Sequence, residues 1–204
     1  MIEAYNDSLR KFKMCTKLKE LNGLTPEDIL NSYWYGDRNV YPIDIAKILY
    51  NMKIRALPYD FSKFDDCNLE NRILGAMVAN KTDLALLYRQ GETKNRSRFT
   101  LAHELAHCCL AHLDHEFMPY IEYRHDGAVN DPREIRANSF AGELLVPAKE
   151  LRKVLSSEYP DSLPRVTYLA KLFAVSVNVM KERLKQLEIP YIDELDRKNF
   201  CLES

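Results

Sequence analysis

The stretch Thr100-Leu-Ala-His103-Glu104-Leu-Ala-His107-Cys-Cys-Leu110 constrains this chain more than any other. Read as a helix turning about 100° per residue, it sets His103 and His107 about 40° apart on one face, with Glu104 beside them. Two neutral imidazoles one turn apart can bind a Zn²⁺ together, and a neighbouring carboxylate can take a proton from water on that metal. The rest of the helix is apolar: Leu101, Ala102, Leu105, Ala106, Cys108, Cys109, Leu110 and Leu113. Such a helix belongs in a core, with its His-Glu face open to a cleft. Two histidines and a glutamate on one stripe of a core helix are costly to bury unless something binds them, which favours a metal site over a chance match.

A chain of 204 residues can bury a sizeable core as one medium domain or a domain with an appendage. Its net charge of -1 argues against non-specific nucleic-acid binding by the whole chain. The N-terminal MIEAYNDSLRKFKMC has no apolar signal region, and nowhere does the chain offer the ~20 apolar residues of a membrane span. A cytoplasmic protein is expected. The five cysteines, Cys15, Cys67, Cys108, Cys109 and Cys201, form no C-x-x-C pair and read as reduced thiols. Cys108 and Cys109 lie about 100° and 200° around the helix from His107 and read as core filler, not ligands.

Along the chain, residues 7–21 read as an amphipathic helix stopped by Asn22-Gly23, and Thr25-Pro26-Glu27-Asp28 caps a second, shorter one. The aromatic run 32–36 is read as a packing patch. Pro42 to Asn51 reads as a third helix. Ile54 to Tyr59 reads as a strand, and Ile73–Ala79 with Leu84–Tyr88 as a hairpin. A polar loop from Gly91 to Ser97 then leads into the His-Glu helix. An edge strand beside a metal cleft could hold an extended peptide by strand addition. The fold expected is α+β: a small sheet packed on the central H-E-x-x-H helix and a second ligand-bearing helix, with a helix-turn-helix-like unit at the C-terminus.

The second ligand-bearing helix starts at Asp131-Pro132 and ends before Pro147, while the segment from Asp114 to Asp131 is a loop over or near the site. A metzincin pattern would need Gly at position 110 and His at position 113, where this chain has Leu110 and Leu113, and His112 points about 140° away from His107. His115 and His125 in the loop stay open as third ligands. Glu134 is the better choice, since a ligand on a rigid packed helix gives a fixed tetrahedral site. Asn138, one turn on, can steady a ligand histidine from behind. Tyr123 and His125 are the candidates to donate to a developing oxyanion.

Arg98-Phe-Thr-Leu-Ala-His-Glu-Leu-Ala-His107, followed by Glu134-x-x-Ala-Asn138-x-Phe140-Ala141-x-x-Leu144-Leu145-x-Pro147, resembles the ImmA/IrrE family of zinc metallopeptidases, the minigluzincins. The likeness runs from about Tyr41 to Pro147, plus the helical tail. It implies one Zn²⁺ per chain on His103, His107 and Glu134, with Glu104 as general base. It also implies a substrate: a helix-turn-helix repressor of a prophage or other mobile element, cut by this protein as an anti-repressor. With the chain ending at residue 204, no sensor-like third domain of the IrrE branch is expected, and the likeness is nearer the ImmA-like proteins.

The turn-rich Ser157-Glu-Tyr-Pro160-Asp-Ser-Leu-Pro164 suggests a boundary between a peptidase domain, 1–160, and a small helical unit, 161–204. Val166 to Phe173 and Val177 to Leu187 read as two helices about a tight turn, with Ser176 as the second N-cap. Lys181, Arg183 and Lys185 would suit a DNA-reading helix, but Glu182 and Glu188 dilute them. A structural or partner-docking unit is the preferred reading, and the tail from Tyr191 reads as loosely held. Two other functions compete with hydrolysis: a zinc-containing protein that disables a repressor by binding alone, and a DNA-binding regulator acting through residues 164–188.

Overall fold

The computed structural model describes residues 16–34, 41–62, 73–79, 83–111, 131–160 and 162–193. Within them the chain is α+β, as expected, with eight helices and one three-stranded sheet. Helix α1 (Thr16–Leu21) is followed by α2 (Pro26–Tyr33), whose N-cap Thr25 exchanges hydrogen bonds with Asp28 in a capping box. After α3 (Ile45–Asn51) comes strand β1 (Arg55–Tyr59), then β2 (Gly75–Ala79) and β3 (Leu84–Arg89). Strand β3 is central: β2 pairs with it antiparallel and β1 parallel. The hairpin forms as read, so the strand leading into the His-Glu helix is the interior one and β2 is an edge.

That helix, α4 (Lys94–Cys109), begins earlier than its composition suggests. Thr93 caps it, its hydroxyl accepting from Arg96 N at 3.3 Å, so the polar residues 94–97 are its first turn and not a loop. Two polar side chains at this end of the helix meet chain carbonyls. Asn95 Nδ2 donates to Val175 O and Arg98 Nε to Ala174 O. From Phe99 to Cys109 every residue of α4 is buried. The expectation of a His-Glu face open to a cleft is therefore corrected, since His103, Glu104 and His107 are each no more than 3% exposed.

Helix α5 (Pro132–Leu145) packs along α4, with Asp131 accepting from Arg133 N at its N-terminus and Pro132 in the first turn. Helices α6 (Ala148–Glu158), α7 (Val166–Phe173) and α8 (Val177–Gln186) follow. Ala174 takes a left-handed φ of 50° to end α7, and Ser176 caps α8 as expected. One apolar cluster runs from Leu18 and Trp34 through Leu105 and Leu144 to Phe173, Met180 and Leu184. Cys108 and Cys109 fill part of it; the Cys108 thiol lies 3.2 Å from Met77 Sδ, and burial pushes the Cys109 thiol up to about 12.

At the C-terminal end the less-favoured DNA-reading alternative loses a residue and one expectation changes. Arg183 does not point outward for DNA: it is buried, its Nε donating to Val146 O at 3.0 Å, while Lys181 pairs with Asp193. Of the basic residues weighed for DNA, Lys185 alone stays exposed on α8. The first residues of the tail are also held, since Val166 N donates to Ile192 O and Ile192 N to Pro164 O. Phe173, fully buried with its ring tilted against that of Tyr41 at a centroid distance of 4.7 Å, joins this end to the rest. Phe173→Ala is expected to cost ~3–5 kcal/mol of unfolding free energy, measured by urea denaturation; a loss near zero would mean the two ends are independently stable. Among the described residues no helix is long and apolar enough to cross a membrane.

Candidate metal centre

Helix α4 presents His103 and His107 one turn apart, and α5 lays Glu134 against both. His103 Nε2 and His107 Nε2 are 2.9 Å apart, His103 Nε2 is 3.2 Å from Glu134 Oε2, and His107 Nε2 is 3.4 Å from Glu134 Oε1. Each pair is short enough for an ordinary hydrogen bond or ion pair, so the distances alone do not require a metal. The convergence does suit one. Ligands about 2.0–2.1 Å from a tetrahedral centre stand about 3.3 Å from one another, and the three separations bracket that edge. Among the described residues, these are the three metal-binding side chains whose donor atoms gather in this way. Two neutral imidazoles and a carboxylate are also the mixed N/O set that suits a catalytic divalent ion.

Glu104 sits next to His103 and is itself buried. What makes room for its carboxylate is strand β2. A Cβ on Gly75 would lie 2.5 Å from Glu104 Oε1 and 2.6 Å from the Thr100 methyl. The absent side chain at this edge strand is therefore a seat for the glutamate. Sequence reasoning missed Gly75. A lone glycine inside an apolar strand pattern was the available signal, marking close approach by a neighbour. It also missed Phe99, whose ring centroid lies 6.4 Å from that of His103 and backs it from one turn earlier in α4.

Asn138 lies exposed one turn beyond Glu134, beside a hollow of about 320 Å³ that Phe99, Ile135 and Val179 also line. The other sequence candidates, Tyr123, His125 and the alternative ligand His115, fall outside the described residues. The open direction is the Glu134 side, whose side chain is 17% exposed against 1% and 2% for the two histidines. The site is thus a closed floor with one ligand at its rim.

Among known proteins, a family model described as IrrE N-terminal-like domain, one of the metallopeptidase families, matches residues 77–185, just over half of the chain. The match runs from Met77 in β2 through the two histidines and Glu134 to Lys185, so α7 and all but the last residue of α8 lie inside it. No curated protein matches the chain.

Proposed function

The chain belongs to the IrrE N-terminal-like family of metallopeptidases, and on that premise we propose that it is a zinc-dependent endopeptidase with a helix-turn-helix repressor as its substrate. The observation that carries the catalytic part is the convergence of His103, His107 and Glu134 with a buried carboxylate, Glu104, beside them. These three residues would hold the zinc. When bound, it would polarise the scissile carbonyl and make water acidic enough to attack near neutral pH.

The work of this chain's own residues follows from their places. Glu104 accepts a proton from the attacking water at its carboxylate and returns it to the leaving amine, so its oxygen must be aimed and unhydrated. Gly75 permits that aim. Phe99 and the apolar arc of α4 keep bulk water off the histidines from behind. Asn138 is assigned to steadying the ligand set from the helix that carries Glu134, and a donor to the developing oxyanion is assigned to Tyr123 or His125.

The seat at Gly75 gives a direct expectation. Gly75→Ala must push Glu104 and Thr100 aside by several tenths of an ångström or more, and displacement of a catalytic group on that scale costs about 100-fold in turnover. Zinc content and KM should stay near wild type. An unchanged kcat would show that Glu104 needs no such seat.

The repressor assignment rests on the family likeness. A peptidase of this kind is safe in a cell if recognition is narrow, and one principal substrate is proposed, cut outside its DNA-reading helices. The test incubates a repressor encoded beside the gene with wild-type protein and with Glu104→Gln, reading new termini by mass spectrometry. New termini with wild type alone support the proposal. Loss of repressor function with no new terminus would favour disabling by binding, and rapid digestion of casein would remove the dedicated-substrate reading.

A further inference from the structure

A second hollow, of about 200 Å³, lies between α2 and the junction of α5 with α6. Its walls are apolar, from Leu30, Trp34, Ile43 and Pro147, and Glu150 lines it from the first turn of α6. Glu150 is an unusual side chain to find there. It is 4% exposed, and its Oε2 accepts no hydrogen bond among the described residues. Lys153 Nζ, one turn on, forms a long ion pair with that oxygen at 3.6 Å, beyond hydrogen-bond reach. The Tyr41 hydroxyl donates to the Glu150 carbonyl at 3.3 Å, which fixes the backbone that carries this carboxylate.

A buried carboxylate oxygen held by one long ion pair and no hydrogen bond is incompletely compensated. Two more acids, Glu27 and Glu143, and one base, Lys149, line the same hollow. Glu143 has a long ion pair to Arg183, 3.8 Å, that leaves it half-exposed. The lining charge is therefore acidic, over an apolar floor. The volume is below the ~300–1,000 Å³ of ordinary small-molecule pockets. It fits one long side chain with an apolar stem and a cationic tip that donates hydrogen bonds. A divalent ion is a poor match, since the hollow places no second buried donor beside Glu150.

We propose that this hollow is a docking site for a single lysine or arginine side chain of a partner protein, with Glu150 accepting from its cationic end and Trp34 and Leu30 packing its stem. The site is separate from the metal centre. Glu143 lies nine residues along α5 from Glu134, which turns it about 180° around the helix and about 14 Å along it. The proposal therefore stands whether or not the chain hydrolyses peptides.

The test uses the full chain and three blocked amino acids: N-acetyl-arginine amide, N-acetyl-lysine amide and N-acetyl-norleucine amide. Binding is followed by NMR at the Trp34 indole, the protein's one tryptophan. Saturable shifts are expected for arginine or lysine with Kd on the order of 1–10 mM, as suits one side chain, and no saturation for norleucine. Glu150→Gln should weaken the cationic ligand at least fivefold, and the exposed Glu27→Gln, which carries little risk to the fold, about twofold. Absence of saturation with either cation, an equal response to norleucine, or unaltered affinity in both variants would overturn the assignment.

Discussion

Glu104→Gln is expected to abolish peptide cleavage while leaving the metal in place. Glutamine keeps the length and shape of glutamate, so it fits the seat that Gly75 and Thr100 leave for Glu104 Oε1. It has no basic oxygen with which to take a proton from water. General-base catalysis of this kind is worth about 10²–10⁴-fold in rate, and kcat should fall by that much with KM little changed. The metal donors are other residues, so zinc content should equal wild type. Thermal stability should hold or rise, because a buried charge has been removed. Metal analysis, a melting curve and single-substrate kinetics read the three quantities separately. Full activity in the variant would remove Glu104 from the chemistry and leave the metal centre as a structural or binding element.

Glu134→Ala is expected to act on the metal itself. The residue stands at the rim of the site, 17% exposed and on a different helix from the histidines. Its loss therefore opens no hole in the core, and the fold should persist with unfolding free energy within about 1 kcal/mol of wild type. Residues that only support a ligand cost about 10–100-fold in metal affinity, so removing a ligand should cost more than ~100-fold. A competitive titration against a chromophoric chelator measures it. Unaltered affinity would transfer the third place to His115 or His125, both in the segment between α4 and α5.

Why the H-E-x-x-H helix was legible and Gly75 was not is a matter of range. His103, Glu104 and His107 declare themselves because helical periodicity is local: the spacing alone puts them on one face. Glu134 could be ranked above the loop histidines by a rigidity argument, yet its approach to both rings is a tertiary fact. The seat that Gly75 makes for Glu104 joins residues 29 positions apart through strand-helix packing, and no periodicity reports that. The start of α4 was misplaced for a related reason. Residues 94–97 look like loop because they are polar, and the partner that Asn95 finds, the Val175 carbonyl, lies far along the chain. Arg183 shows the same limit in reverse: its charge kept a DNA-facing surface open as an alternative, while packing turns it in to Val146 O.

The two cysteines that close α4 matter most before the chain has folded. In the native state both thiols are sealed in the core, and zinc, if that is the working metal, meets two imidazoles and a carboxylate. In the unfolded chain, His103, His107, Cys108 and Cys109 lie within seven consecutive residues. That is a chelator whose thiolates are softer and stronger zinc donors than any carboxylate. Metal captured there is held by the wrong state, and affinity for the unfolded state subtracts from the stabilisation that native binding gives. The order of events then decides the outcome. A chain that folds first hides its thiols and offers one site, whereas a chain that meets zinc first must release it before α4 can take its place in the core.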